Sequence, residues 1–273
     1  MDQIMDETMV RIGRFAKREV PGRGDRPGVM EIPSNDDPPE NCAFRCVDAS
    51  HAKSIYREGP RQLLNGGRFK WAFVRNQFPA FEVHNIVVPC VETAAGLEFP
   101  HEPQTLTLEF IEDLVGLADQ HSRPIFFNGL TAGATVPHFH FQQIGPDWIP
   151  VDHIGTTQLK AGLTILESWP CAALVFQLNE AESLWRTIEN LSGAGVSFNL
   201  LASNRRLILV PRSKLGRGDF DEDFGSGMPA SSELCGGIFI FTDATKFAHA
   251  DEAAVSRVIS RAGLEPAALA EIL

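Results

Sequence analysis

The chain has little positive charge and no long hydrophobic run, and each shortage excludes a class of protein. Its 24 lysines and arginines stand against 35 aspartates and glutamates, which gives a net charge of −11 over 273 residues. Such a charge does not suit nonspecific binding to nucleic acid or to an anionic membrane. No run approaches the roughly 18 apolar residues that a membrane-spanning helix needs. We therefore expect a protein that binds neither nucleic acid nor membrane.

Cysteines are also few, with five in the whole chain: Cys42, Cys46, Cys90, Cys171 and Cys235. An odd and scattered set favours reduced thiols over a disulfide framework. Residues 1–7 are acidic and lack the apolar core of a signal peptide. These features predict a cytoplasmic protein.

The most informative stretch of the sequence is residues 128–142, N-G-L-T-A-G-A-T-V-P-H-F-H-F-Q. Polar and apolar residues alternate from Val136 onward, and side chains two positions apart share a face of a strand. A strand over 135–143 would therefore place three polar side chains on one face: His138, His140 and Gln142. The small residues before the strand, which include Gly133, let a ligand approach the backbone.

Two imidazoles and an amide in a row suit a phosphate group. One ring nitrogen can attack phosphorus while its neighbours donate hydrogen bonds to the phosphoryl oxygens. An H-x-H pattern in a strand is also typical of a polar sheet face or of a metal pair. Asn128 and Thr135 begin the same segment and are good hydrogen-bond partners for phosphate, which favours catalysis.

The segment resembles the N-G-x-x-x-G-A-S-x-P-H-x-H-x-Q signature of the diadenosine tetraphosphate phosphorylases and GDP-galactose phosphorylases. These enzymes form the transferase branch of the histidine triad (HIT) superfamily. The segment is also similar to the H-P-H-x-Q of the galactose-1-phosphate uridylyltransferases. Residues 76–81 and 84–89 resemble the N-x-F-P and H-x-x-V-x-P segments of these families, and 198–201 with 209–213 resembles F-N-L-L…V-P-R-S. The resemblance covers roughly residues 42–245.

The resemblance implies an α+β protein with a HIT-like fold. It would consist of two fused HIT-like halves, each with a mostly antiparallel sheet flanked by helices. We expect an N-terminal helix and loop over 1–41, a catalytic half over 42–150, and a second half without the histidine motif over 151–273. The order strand, helix, hairpin occurs twice in the predicted elements, which indicates an ancestral duplication.

Apolar spacing and turn residues predict the individual elements. Helices are expected at 3–19, 104–120, after Asn179, and within 250–272, and loops at 21–41 and 214–232. Strands are expected at 43–48, 71–76, 83–89, 124–128, 135–143, 163–168, 172–177, 196–202, 206–212 and 236–242.

The resemblance assigns the nucleophile to His140. A neutral imidazole is a good nucleophile near neutral pH and a good leaving group once protonated. Its second N–H needs a fixed acceptor, which we expect to be a backbone carbonyl near residues 127–129. His138 would donate to phosphate or orient His140, although it also fits a hydrogen-bonded strand histidine.

Gln142 separates transfer from hydrolysis. Hydrolytic relatives carry a third histidine at this position, which can handle protons. A glutamine amide can bind a phosphoryl oxygen but cannot act as an acid or base. The resemblance therefore links Gln142 to group transfer.

A further set of residues is expected to bind nucleotide or phosphate: Asn76, Phe78, His84, Asn128, Gly133, Thr135, Arg212 and Lys214. Several of them also have a plain structural interpretation. His84 could be a core histidine, Asn76 a turn residue, and the two basic residues solvated surface charge.

We expect no structural metal site. Cys42 and Cys46, with His51 nearby, suggest zinc, but a strand over 43–48 explains the two thiols without it. Many relatives carry a C-x-x-C metal pair before the N-x-F-P segment, and no such pair occurs between Tyr56 and Asn76. No redox cofactor is implied, and a divalent ion is compatible with the chemistry.

The sequence therefore predicts a nucleotidyltransferase or nucleotide phosphorylase, active as a monomer or homodimer. It would act on a dinucleoside polyphosphate or nucleotide-sugar through a nucleotidyl-histidine, with phosphate or a sugar phosphate as acceptor. One alternative is a hydrolase of dinucleotides or nucleoside phosphoramidates. The other is a catalytically idle nucleotide-binding module, against which the intact His140, Gln142 and Thr135 argue.

Overall fold

The computed structural model describes residues 9–21, 34–48, 51, 53–120, 123–145, 148–159, 162–203, 205–215, 218–220 and 228–273. Its strands are β1 (Met9–Ile12), β2 (Phe15–Glu19), β3 (Gln62–Asn65), β4 (Lys70–Arg75), β5 (His84–Thr93), β6 (Gly96–Glu98), β7 (Ile125–Asn128), β8 (Phe141–Ile144), β9 (Thr156–Gln158), β10 (Thr164–Leu166), β11 (Leu174–Gln177), β12 (Phe198–Ala202), β13 (Arg206–Pro211) and β14 (Ile238–Phe241). Its α-helices are α1 (Leu108–Gln120), α2 (Ala181–Gly193), α3 (Ser231–Leu234), α4 (Ala244–His249), α5 (Glu252–Ala262) and α6 (Pro266–Ile272).

One long sheet runs through both halves of the chain. Its strand order is β3-β4-β5-β8-β7-β12-β13-β11-β10-β9, with β6 paired to β5. The first five strands come from the first half and the last five from the second, and the halves meet where β7 pairs antiparallel with β12. Each half contains a strand, then a helix, then a hairpin (β5, α1, β7–β8 and β11, α2, β12–β13), so the predicted repetition of elements is confirmed.

The sheet buries apolar side chains on both faces. Helices α1 and α2 cover one face, where Ile111 and Ile188 share a cluster with Leu200. The neighbouring residue, Leu201, points to the opposite face and packs with β14 and α5, as expected from strand alternation. On that opposite face of the first half, turns within residues 42–48 and 53–56 cover β4 and β5. The histidine segment lies beneath this cover.

The N-terminal segment differs from its prediction. Residues 9–19 form the hairpin β1–β2 and not part of a helix, whereas residues 1–8 lie outside the described part of the chain. Strand β2 pairs in parallel with β14, and Phe15 and Ala16 are fully buried. Pairing with a strand more than 200 residues away outweighs the local helical spacing.

Three other predicted elements also need correction. The strand expected over 43–48 is a series of turns, and the strand expected over 135–143 begins only at Phe141. The short helix α3 begins at Ser231, inside the loop expected over 214–232. Most of the loop expected over 21–41 lies outside the described residues. The short strands β3, β6 and β9 were not predicted.

Within the described residues, no helix is both long and apolar enough to cross a membrane.

Candidate functional site

His140 is held in one tautomer by the backbone. Its Nδ1 lies 2.8 Å from the carbonyl oxygen of His138. A carbonyl can only accept, so the proton is on Nδ1 and the lone pair is on Nε2. The side chain is buried, and the ring of Phe44 meets it edge-on at 5.1 Å between centroids. A backbone acceptor was expected, but it comes from His138 and not from residues 127–129.

Gln104 clamps the backbone of the nucleophile candidate. The His140 N–H donates to Gln104 Oε1 at 2.8 Å, and Gln104 Nε2 donates to the carbonyls of His140 at 3.2 Å and Asn128 at 2.9 Å. Residues 136–140 are not paired with a neighbouring strand, so the bonds to Gln104 take the place of the missing backbone hydrogen bonds between strands. Gln104 is buried, and no role was predicted for it from the sequence.

Gln142, His84 and Asn76 form a contiguous polar chain. The Ala80 N–H donates to His84 Nδ1 at 3.0 Å, so the His84 proton is on Nε2 and points to Gln142 Oε1, also at 3.0 Å. Asn76 Nδ2 also lies 3.0 Å from this Nε2, but both nitrogens carry protons in this tautomer, so the two groups are neighbours without a hydrogen bond between them. Among the described residues, the Gln142 NH2 group has no hydrogen-bond partner, so the amide presents two donors.

Asn76 also makes a turn. Its Oδ1 accepts from the Phe78 N–H at 2.8 Å, which is the bond expected of a turn asparagine. Both residues are half-buried. Further along, Gly133 has a φ of +103°, and a Cβ there would lie 3.3 Å from Ala230. Thr135, half-buried in the same connection, lies between Gly133 and the histidines.

His138 faces away from His140, into a cluster of metal-ligating side chains. Single ligand atoms of Cys42, Cys46, His101 and His138 all lie within 4.8 Å of one another. Cys42 Sγ is 3.4 Å from His138 Nδ1, and Cys46 Sγ is 3.3 Å from His101 Nδ1. The Tyr56 hydroxyl lies 3.4 Å from His138 Nε2, in the position of an outer partner that fixes a ligating ring.

The cluster fits a tetrahedral zinc ion. Two thiolates and two imidazoles are a common zinc donor set, and zinc bonds of their usual length separate ligand atoms by about 3.3–3.8 Å. A hydrogen bond from Cys46, with further help from His138, lowers the pKa of Cys42 to about 3. The same bond raises the pKa of Cys46 above its ordinary value. The pair therefore shares one proton, which a bound metal would displace.

This cluster contradicts the reasoning behind the expected absence of a metal site. That reasoning placed Cys42 and Cys46 in a strand. It also took the lack of a C-x-x-C pair before Asn76 as a sign that no zinc binds. Turns over residues 42–48 bring the two thiols together instead. The other two ligands come from His101 and from His138, more than 50 residues away along the chain. In the sequence, Cys42 and Cys46 suggested zinc and the H-x-H pattern is typical of a metal pair, but neither feature indicated His101.

Asn128 joins the two halves of the protein. Its Oδ1 accepts from Asn199 Nδ2 at 2.8 Å and from the Ser231 N–H at 2.9 Å and Ser231 Oγ at 2.7 Å. Asn128 and Asn199 stand opposite each other in the β7–β12 pair, and both are buried. The Oδ1 of this amide is therefore committed to the seam between the halves, whereas its Nδ2, the group that could donate to a phosphate, takes no part in these bonds.

Arg212 supports the same seam. It is buried, donates from Nη1 to the Pro229 carbonyl at 2.8 Å and lies 3.5 Å from Asn199 Oδ1. Burial lowers the pKa of the guanidinium to about 10. Lys214 is exposed two residues further on, and among the described residues no contact joins it to the histidine segment. The Nε and Nη2 of Arg212 are buried without a hydrogen-bond partner among the described residues, so the phosphate role expected of these two residues stays a prediction.

Comparison with known proteins places this geometry in context. The crystal structure of yeast Ap4A phosphorylase Apa2 in complex with Ap4A superposes with a TM-score of 0.60 at 15% identity, covering 95% of this chain and 89% of that one. The same yeast protein in complex with AMP superposes with a TM-score of 0.60, also at 15% identity, over 96% of this chain and 89% of the other. At such identity the likeness shows the fold alone.

A family model matches the second half. The model described as "GDPGP1-like, C-terminal domain" matches residues 149–272, in the half without the histidine motif. A search of curated proteins finds no significant match. The fold is thus α+β and HIT-like, and the chain resembles the Ap4A phosphorylases and the GDP-galactose phosphorylases.

Proposed function

We propose that this protein is a nucleotidyltransferase of the phosphorylase type. It would act on a dinucleoside polyphosphate or a nucleotide-sugar through a nucleotidyl-histidine at His140. The observation that supports this most is the fixed tautomer of His140, since the Nδ1 bond to the His138 carbonyl leaves the nucleophilic lone pair on Nε2. The yeast neighbour, whose structures hold Ap4A and AMP, supports a nucleotide as the substrate.

In the first step, His140 Nε2 attacks the α-phosphorus of the donor. A P–N bond forms, the P–O bond to the leaving group breaks, and the electron pair departs with the leaving group, which is a nucleoside polyphosphate from a dinucleoside polyphosphate or a sugar phosphate from a nucleotide-sugar. The imidazole becomes cationic as the P–N bond forms. Its Nδ1–H then donates a charge-assisted hydrogen bond to the His138 carbonyl, which stabilises the intermediate.

In the second step, an oxygen of phosphate or a sugar phosphate attacks the same phosphorus. The P–N bond breaks and its electron pair returns to Nε2, so His140 leaves as a neutral imidazole. Gln142, held by His84, would donate its NH2 to a phosphoryl oxygen in both steps. Because an amide cannot take a proton from water, attack by an anionic oxygen is favoured over hydrolysis.

Gly133, Thr135, Asn76 and Phe78 remain proposed contacts of the nucleotide. They flank the histidine segment or the polar chain that ends at Gln142. Asn128, Arg212 and Lys214 also remain proposed phosphate contacts. Asn128 would use its Nδ2, and Arg212 its Nε and Nη2, which are buried without a hydrogen-bond partner among the described residues. His138 is a positioning residue, since it supplies the carbonyl that fixes His140.

We further propose that Cys42, Cys46, His101 and His138 hold a structural zinc ion. Bound zinc would contribute its coordination energy to the fold, as in other closed four-ligand sites. His138 and the turn segment 42–48 would then be fixed together, and with them the carbonyl that orients His140. The five cysteines are all free and buried, which agrees with the cytoplasm as the proposed location.

The test is a substrate panel with and without an acceptor. Purified protein is incubated with Ap4A, Gp4G and GDP- and UDP-sugars, each with and without inorganic phosphate. We expect nucleoside diphosphate to appear with at least one donor, and only when phosphate is present. Equal release of mononucleotide without phosphate would indicate the alternative hydrolase. No turnover of any donor, combined with tight nucleotide binding, would indicate the idle binding module.

A further inference from the structure

A cavity beside the polar chain is lined by arginines. It has a volume of about 840 Å³ and is formed by residues 54–61 and 75–77. Three of its lining residues are arginines, Arg57, Arg61 and Arg75, and a single acidic residue, Glu58, opposes them. In a chain with a net charge of −11, this is a local concentration of positive charge, and a concave surface intensifies its potential.

The three arginines are not balanced by carboxylates. Among the described residues, Arg14, Arg68, Arg186 and Arg206 each form an ion pair, whereas none of the cavity arginines does. All three are exposed. An arginine guanidinium binds phosphate through a planar pair of donors, so three of them around one cavity suit a ligand with several phosphate oxygens.

Two walls of the cavity lead to the proposed catalytic groups. Asn76 belongs to the first wall. Its Nδ2 lies 3.0 Å from His84 Nε2, and the same Nε2 lies 3.0 Å from Gln142 Oε1. Ser54 belongs to the second wall, and its Oγ donates to the Phe44 carbonyl at 3.4 Å. The Phe44 ring in turn contacts the His140 ring. On one side the cavity is therefore separated from the His140 ring by Phe44, and on the other it is separated from Gln142 by His84.

The two displacement steps set a geometric requirement on the ligand. Each step is an in-line displacement at the same phosphorus, and His140 occupies one side of it in both. The leaving group of the first step and the acceptor of the second must therefore occupy the same place, on the side opposite His140. Both groups carry phosphate, so one anion-binding site serves them in turn.

We propose that the cavity lined by Arg57, Arg61 and Arg75 is this site. It would bind the phosphate chain of the leaving group and afterwards the phosphate of the acceptor. This inference rests on the proposed function, and it names the substrate class more closely. A donor with a long phosphate chain would fill more of the cavity than a nucleotide-sugar, so we infer that dinucleoside polyphosphates are the preferred donors.

The direct test uses inorganic tripolyphosphate as the probe. Its dissociation constant is measured by calorimetry for wild type, for Arg61→Gln, for Arg75→Gln and for the double variant. We expect the double variant to bind at least about tenfold more weakly, because each lost guanidinium removes a charge-assisted contact. Arg186→Gln removes an exposed arginine from helix α2 and should bind tripolyphosphate as wild type does.

Failure of tripolyphosphate to bind wild type, or equal binding by the double variant, would overturn the inference. Melting temperatures confirm that each variant folds, and Arg57→Gln provides an independent variant of the same cavity. The His140→Asn variant should keep its tripolyphosphate affinity. If that variant still turned over while the arginine variants lost the probe, the proposed function would fail and the anion site would stand. If wild type transferred normally and the arginine variants kept their KM for phosphate, the anion site would fail and the proposed function would stand.

Discussion

The two halves of the main sheet share a topology but differ in the connection inside their hairpins. Strands β12 and β13 are joined directly between Ala202 and Arg206, whereas β7 and β8 are separated by residues 129–140. The long connection contains Gly133, Thr135 and both histidines of the motif. Its backbone is held by Gln104 and not by a strand partner. The two halves thus share one arrangement of strands, and the proposed site lies in the half whose hairpin has the longer connection.

The register sharpens this contrast. Gln142 on β8 pairs with Phe126 on β7. In the other half, Phe198 pairs with Pro211, so Arg212 lies opposite Ser197. The first position presents a half-buried amide, and the second holds a buried guanidinium bonded to backbone. The second strand of the first hairpin therefore carries a residue of the proposed chemistry, whereas the residue that follows the second strand of the other hairpin serves the seam.

The largest expected effect is the loss of transfer when the proposed nucleophile is replaced, compared with no loss when a histidine of the second half is replaced. His140→Asn should abolish transfer by at least about a thousandfold, because an amide cannot form the covalent intermediate. His153→Asn alters an exposed histidine that stacks on Trp148 and should leave the rate unchanged. Steady-state rates with the donor found in the substrate panel make the comparison. Comparable rates for wild type and His140→Asn would place the nucleophile elsewhere.

The second prediction contrasts the cysteines of the two halves. Elemental analysis of wild type should find one zinc ion per chain. Cys42→Ser should lose it and melt at a lower temperature, because zinc affinity contributes directly to folding. Cys171→Ala, in the second half and outside the cluster, should keep the zinc. Wild type purified without zinc, from a medium that contains it, would contradict the proposed metal site.

The third prediction concerns the clamp that replaces a strand partner. Gln104→Ala removes three hydrogen bonds to backbone and should lower kcat by about a hundredfold through misplacement of His140. The KM should change little, since Gln104 does not reach the substrate. Gln104→Glu keeps the acceptor for the His140 N–H and should recover part of kcat. Gln177→Ala, at the exposed end of β11, provides the control. A change confined to KM would argue against a positioning role.

The smallest effect expected is at Gln142. Gln142→His places an imidazole where hydrolytic relatives have one, and it should raise the ratio of hydrolysis to transfer several-fold. Product analysis in the presence of phosphate measures that ratio. An unchanged ratio would mean that Gln142 does not decide between water and phosphate.

Local patterns predicted the parts of the structure that local interactions determine. Helix α1 followed from apolar spacing that includes Ile111 and Leu114, both of which are buried. The hairpin β12–β13 followed from two apolar runs around a short turn. The order of the motifs then predicted the HIT-like fold.

The sequence could not predict what depends on contacts between distant residues. Strand β2 exists because it pairs with β14, a partner that no local window contains. The role of Asn128 at the seam becomes visible only when Asn199 and Ser231 are placed against its Oδ1. Cys46 and His101 are 55 residues apart along the chain, and only the turns over 42–48 reveal them as neighbours.

The most direct test of the central claim is the mass of the intermediate. Wild type is incubated with its donor without phosphate, denatured at alkaline pH to preserve a phosphoramidate, and weighed intact. We predict an increase by one nucleotidyl group that peptide mapping places on His140, and that disappears when phosphate is added before denaturation. Full transfer activity without any such adduct, or an adduct on another residue, would contradict the account.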